Sequence, residues 1–146
     1  MHRAMTIEPE RLDKIRANAA FVVDTLGELS GMNFGYGEGS IEWVEGFLER
    51  QRPTLTDEAA NRLINVIGCY LGEAIIAAVP GAQWDEDTSG SLGITFPNGD
   101  MSYPFAKVAK QLASGLSEGD SIHSFYDVSV NYVATGRLRE PEGGAP

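Results

Sequence analysis

An α+β fold is predicted, with three N-terminal helices, a three-stranded antiparallel meander and two C-terminal helices. Three observations predict it. Apolar residues recur at 3–4 spacing as far as Val79. The period then shortens to 2 between Ala82 and Phe105, around a strong hairpin signal at Asn98-Gly99. Helical spacing returns behind Pro104.

The first helix is expected from Thr6 to Leu29, because Leu12, Ile15, Ala19, Val22, Leu26 and Leu29 line one face. Thr6 can cap it, Pro9 is tolerated in the first turn, and Gly31 stands where a helix stops. The stretch "GMNFGYGEGS" is too rich in glycine to be regular. Ser40 is placed to cap a short second helix, "IEWVEGFLERQ", with Glu42 and Glu45 complementing its dipole and Pro53 ending it. Thr56 caps a third helix that opens on Asp57 and Glu58, runs to about Val79 and stops at Pro80-Gly81.

The strands are "AQWDED", "LGITF" and "MSYPF", joined by "TSGS" and "PNGD". Asn98-Gly99 suits a type I′ turn, which needs positive φ at both central residues. Leu92, Ile94 and Phe96 share one sheet face. Pro104 opens the fourth helix, with Phe105, Val108, Ala109 and Leu112 inward and Gly115 at its end. Asp120 or Ser121 starts the last helix, whose stripe is Ile122, Phe125, Ser129, Tyr132 and Val133. Residues 1–135 form one domain, and residues 136–146 a flexible polar tail.

A chain of 146 residues can bury one proper core. Its net charge of −10 argues against a general nucleic-acid binder and against adhesion to anionic membranes. Cys69 is the single cysteine, so no internal disulfide forms. The start, "MHRAMTIEPERLDK", has no apolar core and does not read as a signal peptide. The run "AIIAAV" is too short to span a bilayer. A bacterial-type cytoplasmic protein is the expectation.

The chemistry-bearing question lies in "NVIGCYLGEAIIAAVPG", an apolar helix that carries Gly68, Gly72 and Glu73. At 100° per residue the two glycines fall on one strip of small residues, where a neighbouring helix or strand can cross closely. Glu73 flanks that strip and needs a partner if buried, such as backbone N–H groups, Arg62 or Arg50. Asp85, Asp87, Ser89 and Gly90 match the opening of a calcium loop, but Phe96 stands where its bidentate glutamate belongs, so an acidic hairpin turn is expected. Gly35, Gly37 and Gly39 lack the lysine of a phosphate loop and the strand before it. His123 has Ser121 and Ser124 beside it but no ligand set, nucleophile elbow or oxyanion hole, so neither a metal nor a catalytic site is expected. Cys69 reads as an inert buried thiol.

"GCYLGEAI", Trp84, "LGITFPNGD", "PFAKVAKQL" and "DSIHSFY" together resemble a family of small uncharacterised bacterial domains. In that family a Gly-x-Tyr-Leu-Gly-Glu helix precedes a Trp-bearing strand and a Pro-initiated helix. The resemblance spans about Thr56 to Val133. It implies a shared fold and groups Gly72, Glu73, Trp84 and Pro104, without supplying an activity.

The leading functional expectation is a non-enzymatic protein-interaction module, adaptor- or immunity-like, that presents an acidic face to a basic protein. Its mark would be one contiguous patch around Phe34, Tyr36, Trp43, Asp85, Glu86 and Asp87. The alternative is a small-molecule-binding or hydrolytic domain centred on Glu73. There Tyr70, Trp84 and Tyr103 would wall a concave site, and Arg62 or Ser102 would add polar contacts. A homodimer through the aromatic loop or the second helix is a third expectation. No cofactor is implied.

Overall fold

The structure, a computed structural model, describes residues 7–133. Helix α1 spans Pro9–Ser30, α2 Glu38–Gln51 and α3 Asp57–Ala78. Strands β1 (Gln83–Glu86), β2 (Leu92–Thr95) and β3 (Met101–Ser102) follow, then helices α4 (Pro104–Ser114) and α5 (Ile122–Val128). Single 3₁₀ turns trail α2 and α4, and a π-helical turn, Ser129–Val133, continues α5. The sheet is an antiparallel meander in the order β1-β2-β3, with Trp84 opposite Ile94 and Ile94 opposite Ser102. The α+β architecture expected from the hydrophobic periods is therefore the one formed.

Helix α3 lies at the centre because it is apolar around most of its girth. Ile67, Tyr70, Leu71, Ala74 and Ile75 are buried there. Helix α1 packs on one side of it through Ile15, Ala19, Val22 and Leu26, and α4 packs on another through Val108. Helix α2 supplies Ile41, Val44 and Leu48 to the core and meets α4 and α5.

Local chemistry explains most boundaries. Pro9 stands in the first turn of α1, and Gly31 ends it at φ 69° with its N–H on the Gly27 carbonyl. Thr56 caps α3 by accepting from Ala59 N at 3.1 Å, and Ser121 caps α5 by accepting from Ser124 N at 2.9 Å. Leu29, expected inward, is 65% exposed. The chain turns at Gly31 and brings Phe34 back against Gly27, so the end of α1 is covered from the side and Leu29 stays outside.

Helix α2 begins earlier than expected. Gly37 is its N-cap, and Ser40 lies buried inside the first turn, accepting from Gly35 N at 2.9 Å. Ser40 thus ties down the glycine-rich loop rather than capping the helix. The Asn98-Gly99 turn is also different, since Asn98 does not have positive φ. Gly99 N bonds to Phe96 O and Phe96 N to Asp100 O, which makes a three-residue hairpin loop with Gly99 as its left-handed residue. The β1–β2 connection repeats the device at Gly90, with Gly90 N on Asp87 O and Asp87 N on Ser91 O. Strand β3 is short because Tyr103 already serves as N-cap to α4. Thr6, the side chains of Tyr132 and Val133, and the expected tail at 136–146 lie outside the described residues.

The small strip of α3 is occupied by aromatic rings, where a crossing backbone was expected. A Cβ on Gly68 would stand 2.2 Å from Phe105 Cδ1, and one on Gly72 would stand 2.1 Å from Trp84 Cη2. The two rings lie 5.7 Å apart between centroids, one carried by α4 and the other by β1. A strip that admits a helix backbone also admits two rings edge to edge, and sequence shows the vacancy without its occupant. Gly72→Leu is expected to destabilise the fold by about 1–3 kcal/mol in urea denaturation, by overpacking against Trp84. Gly39→Ala, in the first turn of α2 with open space around it, should instead stabilise by about 0.4–1 kcal/mol. A neutral Gly72→Leu would mean the ring does not sit there.

Candidate functional site

Glu73 is the first candidate to place. Its Oε2 accepts from Trp84 Nε1 at 2.8 Å and lies 4.0 Å from Arg16 Nε, and its side chain is 17% exposed. The carboxylate therefore holds the indole whose ring sits on Gly72, one residue earlier on α3. Gly72, Glu73 and Trp84 act together, while Pro104 contributes by opening α4. Tyr70 lies one turn before Glu73, fully buried, and its hydroxyl donates to Gly35 O at 2.7 Å. Burial pushes that hydroxyl well above its ordinary range, so it remains a donor. Phe34 and Tyr36 pack on the Tyr70 ring, and Trp43 stacks on Phe47 beneath Arg50. The glycine-rich loop is an aromatic-packed connection.

The other expected members of a Glu73 site are elsewhere. Arg62 is 70% exposed and faces Glu58 on its own helix. Tyr103 reaches the β1–β2 turn, where its hydroxyl donates to Asp87 Oδ2 at 2.8 Å. Asp87 Oδ1 accepts from the hydroxyl and N–H of Ser89 and from Ser91 N, and these donors hold the carboxyl down at about 2. The acidic hairpin thus turns Asp87 onto its own loop. Asp85 is buried opposite Gly93. Glu86 pairs with Arg11 near the start of α1, whereas Phe34 packs near its end. Along the helix axis those points are about 24 Å apart. The acidic and aromatic residues form two separate groups.

A carboxylate stripe on α2 was read only as a dipole complement. Glu38, Glu42, Glu45 and Glu49 follow helical spacing, and Glu38, Glu45 and Glu49 bond to α4 and α5. Glu45 Oε1 accepts from the Ser121 hydroxyl and from His123 N at 3.0 Å, so it serves the N-terminus of α5. Glu49 Oε2 accepts from Gln111 Nε2 at 3.0 Å and from Leu116 N at 3.3 Å. Gln111, fully buried, returns its carbonyl to Ile122 N at 2.9 Å. His123 Nε2 lies 2.9 Å from Glu38 Oε2. This polar seam clasps α5 to the rest of the domain.

The clasp builds a groove. Strand β3, α4 and α5 enclose a cavity of about 400 Å³, within the range of small-ligand sites. Its apolar lining comes from Met101, Ala106, Phe125 and Val128, and its polar lining includes Ser102, Lys107 and Lys110. Ser102 is 8% exposed, and its Oγ is a buried polar atom that meets no hydrogen-bond partner among the described residues. Tyr103 flanks the groove but its hydroxyl is already committed to Asp87. Ser102 and Tyr103, expected around Glu73, meet here instead, while Glu73 and Trp84 form the anchor behind. Missed altogether were Lys107 and Lys110, three residues apart on α4, where such spacing places two side chains on one face.

No family model, curated protein or solved structure matches the chain. Among the described residues no group of three His, Cys, Asp or Glu side chains is placed to hold a metal ion. No described helix is long and apolar enough to cross a membrane.

Two measurements check the anchor and the clasp. Glu73→Leu strands a buried indole N–H and should cost about 1–3 kcal/mol, while Glu73→Gln keeps an acceptor and should cost under ~1 kcal/mol. Equal losses in the two variants would mean that charge matters more than the hydrogen bond. The Glu38 partnership, with Glu45 and Glu42 nearby, raises His123 above its ordinary 6.5. A raised pKa stabilises the fold fully below about 6.5 and loses that contribution as pH climbs through the raised value. Thermal melts should therefore show wild type losing stability relative to His123→Asn as pH rises from about 6.5 through the raised value; parallel curves would contradict the clasp.

Proposed function

We propose that this chain is a non-enzymatic binding module whose recognition site is the groove between β3, α4 and α5. One observation carries the reading. A buried hydroxyl without a partner among the described residues is costly, and Ser102 is one of the residues that line the groove, so a molecule that reaches its covered Oγ would satisfy it. Binding rather than turnover is supported by how the reactive groups are committed. The Ser121 hydroxyl is held by Glu45 and the His123 ring by Glu38, so neither activates the other. The Cys69 thiol is buried, which raises its pKa and keeps it poorly nucleophilic. In this reading the module works in the cytoplasm, without a cofactor or nucleic acid, in keeping with its net charge of −10.

A second, protein-facing role is favoured by the outer side of α1. Phe21 and Leu29 are 58% and 65% exposed there, followed by Met32, with Asp24 and Glu28 between them. Exposed apolar side chains set among acidic ones suit an adaptor-like contact with a basic-rimmed protein partner.

Ser102→Ala tests the groove. Removing an unpartnered buried hydroxyl should raise stability by about 1 kcal/mol, where removing a bonded one would lower it. In a fragment titration followed by amide NMR, ligands should move Ala106, Phe125 and Val128 first. Shifts confined to other surfaces would sink the proposal.

A further inference from the structure

The groove's own chemistry narrows what it takes, and the narrowing rests on the binding reading above. We infer that it accepts a monoanionic amphiphile, a single carboxylate on a short apolar body.

Charge sets the first term. The chain is acidic overall, yet two of its few cations line this one cavity, Lys107 and Lys110. Lys107 Nζ is 3.4 Å from Asp120 Oδ1 and is largely compensated. Lys110 is exposed and has no ion-pair partner among the described residues. Two ammonium groups and one carboxylate leave one positive charge, which one carboxylate balances. A phosphate dianion would leave the site negative in an already negative protein.

Hydrogen-bonding capacity sets the second term. Tyr103 OH donates to Asp87 and is not available. Donors on this side include the Ser102 hydroxyl, more than nine-tenths buried, and the Lys110 ammonium. A carboxylate brings acceptor oxygens for the Lys110 ammonium, which only donates, and for the Ser102 hydroxyl, which donates as well as accepts, so the ammonium sets the preference. The α5 wall is apolar, with Phe125 and Val128, and Met101 of β3 adds apolar surface, so the rest of the molecule must be apolar too. The lysine stems add methylene surface while their heads stay at the rim.

The test titrates the full chain with octanoate, 1-octanol and octylamine, which share one apolar body and differ in the head group, and follows the amides of Ser102, Ala106, Phe125 and Val128. Octanoate should bind saturably and more tightly than the other two. Lys110→Met, an exposed change that keeps the aliphatic stem, should weaken octanoate by roughly three- to tenfold and leave 1-octanol unaffected. If 1-octanol or octylamine binds as well as octanoate, or if Lys110→Met changes nothing, the carboxylate assignment is overturned while the groove stands as a binding site. If none of the three moves those amides, the binding reading falls with it.

Discussion

The seating of two aromatic rings on two glycines is the constraint from which the rest of this domain follows. Helix α3 is apolar nearly all round and must be enclosed, but enclosure needs a way for a sheet and a helix to reach it. Gly68 and Gly72 supply it, since any side chain there would occupy the volume of the Phe105 and Trp84 rings. Trp84 belongs to β1 and Phe105 to the first turn of α4, so one contact pair locates both elements against the same helix face. Glu73 then fixes the indole in rotation as well as depth, by taking its N–H. Packing alone would leave the ring free to slide along the strip.

Once β1 and α4 are placed, the groove is nearly determined. Strand β2 pairs with β1, β3 pairs with β2, and Pro104 turns the chain from β3 directly into α4. That short turn leaves Ser102 and Lys107 close in sequence on either side of a corner. Helix α5 closes the far wall, and it is held both by the fully buried Ile122 and by the Glu45, Glu49 and Gln111 seam. A wall fastened through charge-assisted hydrogen bonds to helix N–H groups can be firm while its inner side stays available. The seam and the groove are therefore two sides of the same arrangement.

The architecture was legible in the sequence because each element carried its own signal: Pro9 and Gly31 bounding the first helix, Thr56 capping the third, Pro104 opening the fourth. The strip on α3 and the need of Glu73 for a partner were equally visible, since both are consequences of helical geometry. What filled the strip was not, because Trp84 and Phe105 reach it from segments whose placement depends on the whole fold. The Asn98-Gly99 turn shows a local limit: the dipeptide marks a hairpin, while the number of residues in the loop selects its type. The α2 glutamates are spaced as a solvated face would be, and only the arrival of α5 and Gln111 turned Glu45 and Glu49 inward. Ser102 carried no signal at all. An unpartnered hydroxyl is a property of three-dimensional neighbours, and serine in a short strand is unremarkable until those neighbours are known.

The central claim is that the fold holds an open groove with a donor set aside on its floor. A high-resolution crystal structure of the full chain tests it most directly. The account predicts Ser102 Oγ without a protein acceptor, Phe125 and Tyr103 held apart, and solvent or a bound molecule between them. A Ser102 hydroxyl bonded to a backbone carbonyl, with Phe125 folded over it and the space filled, would contradict the account.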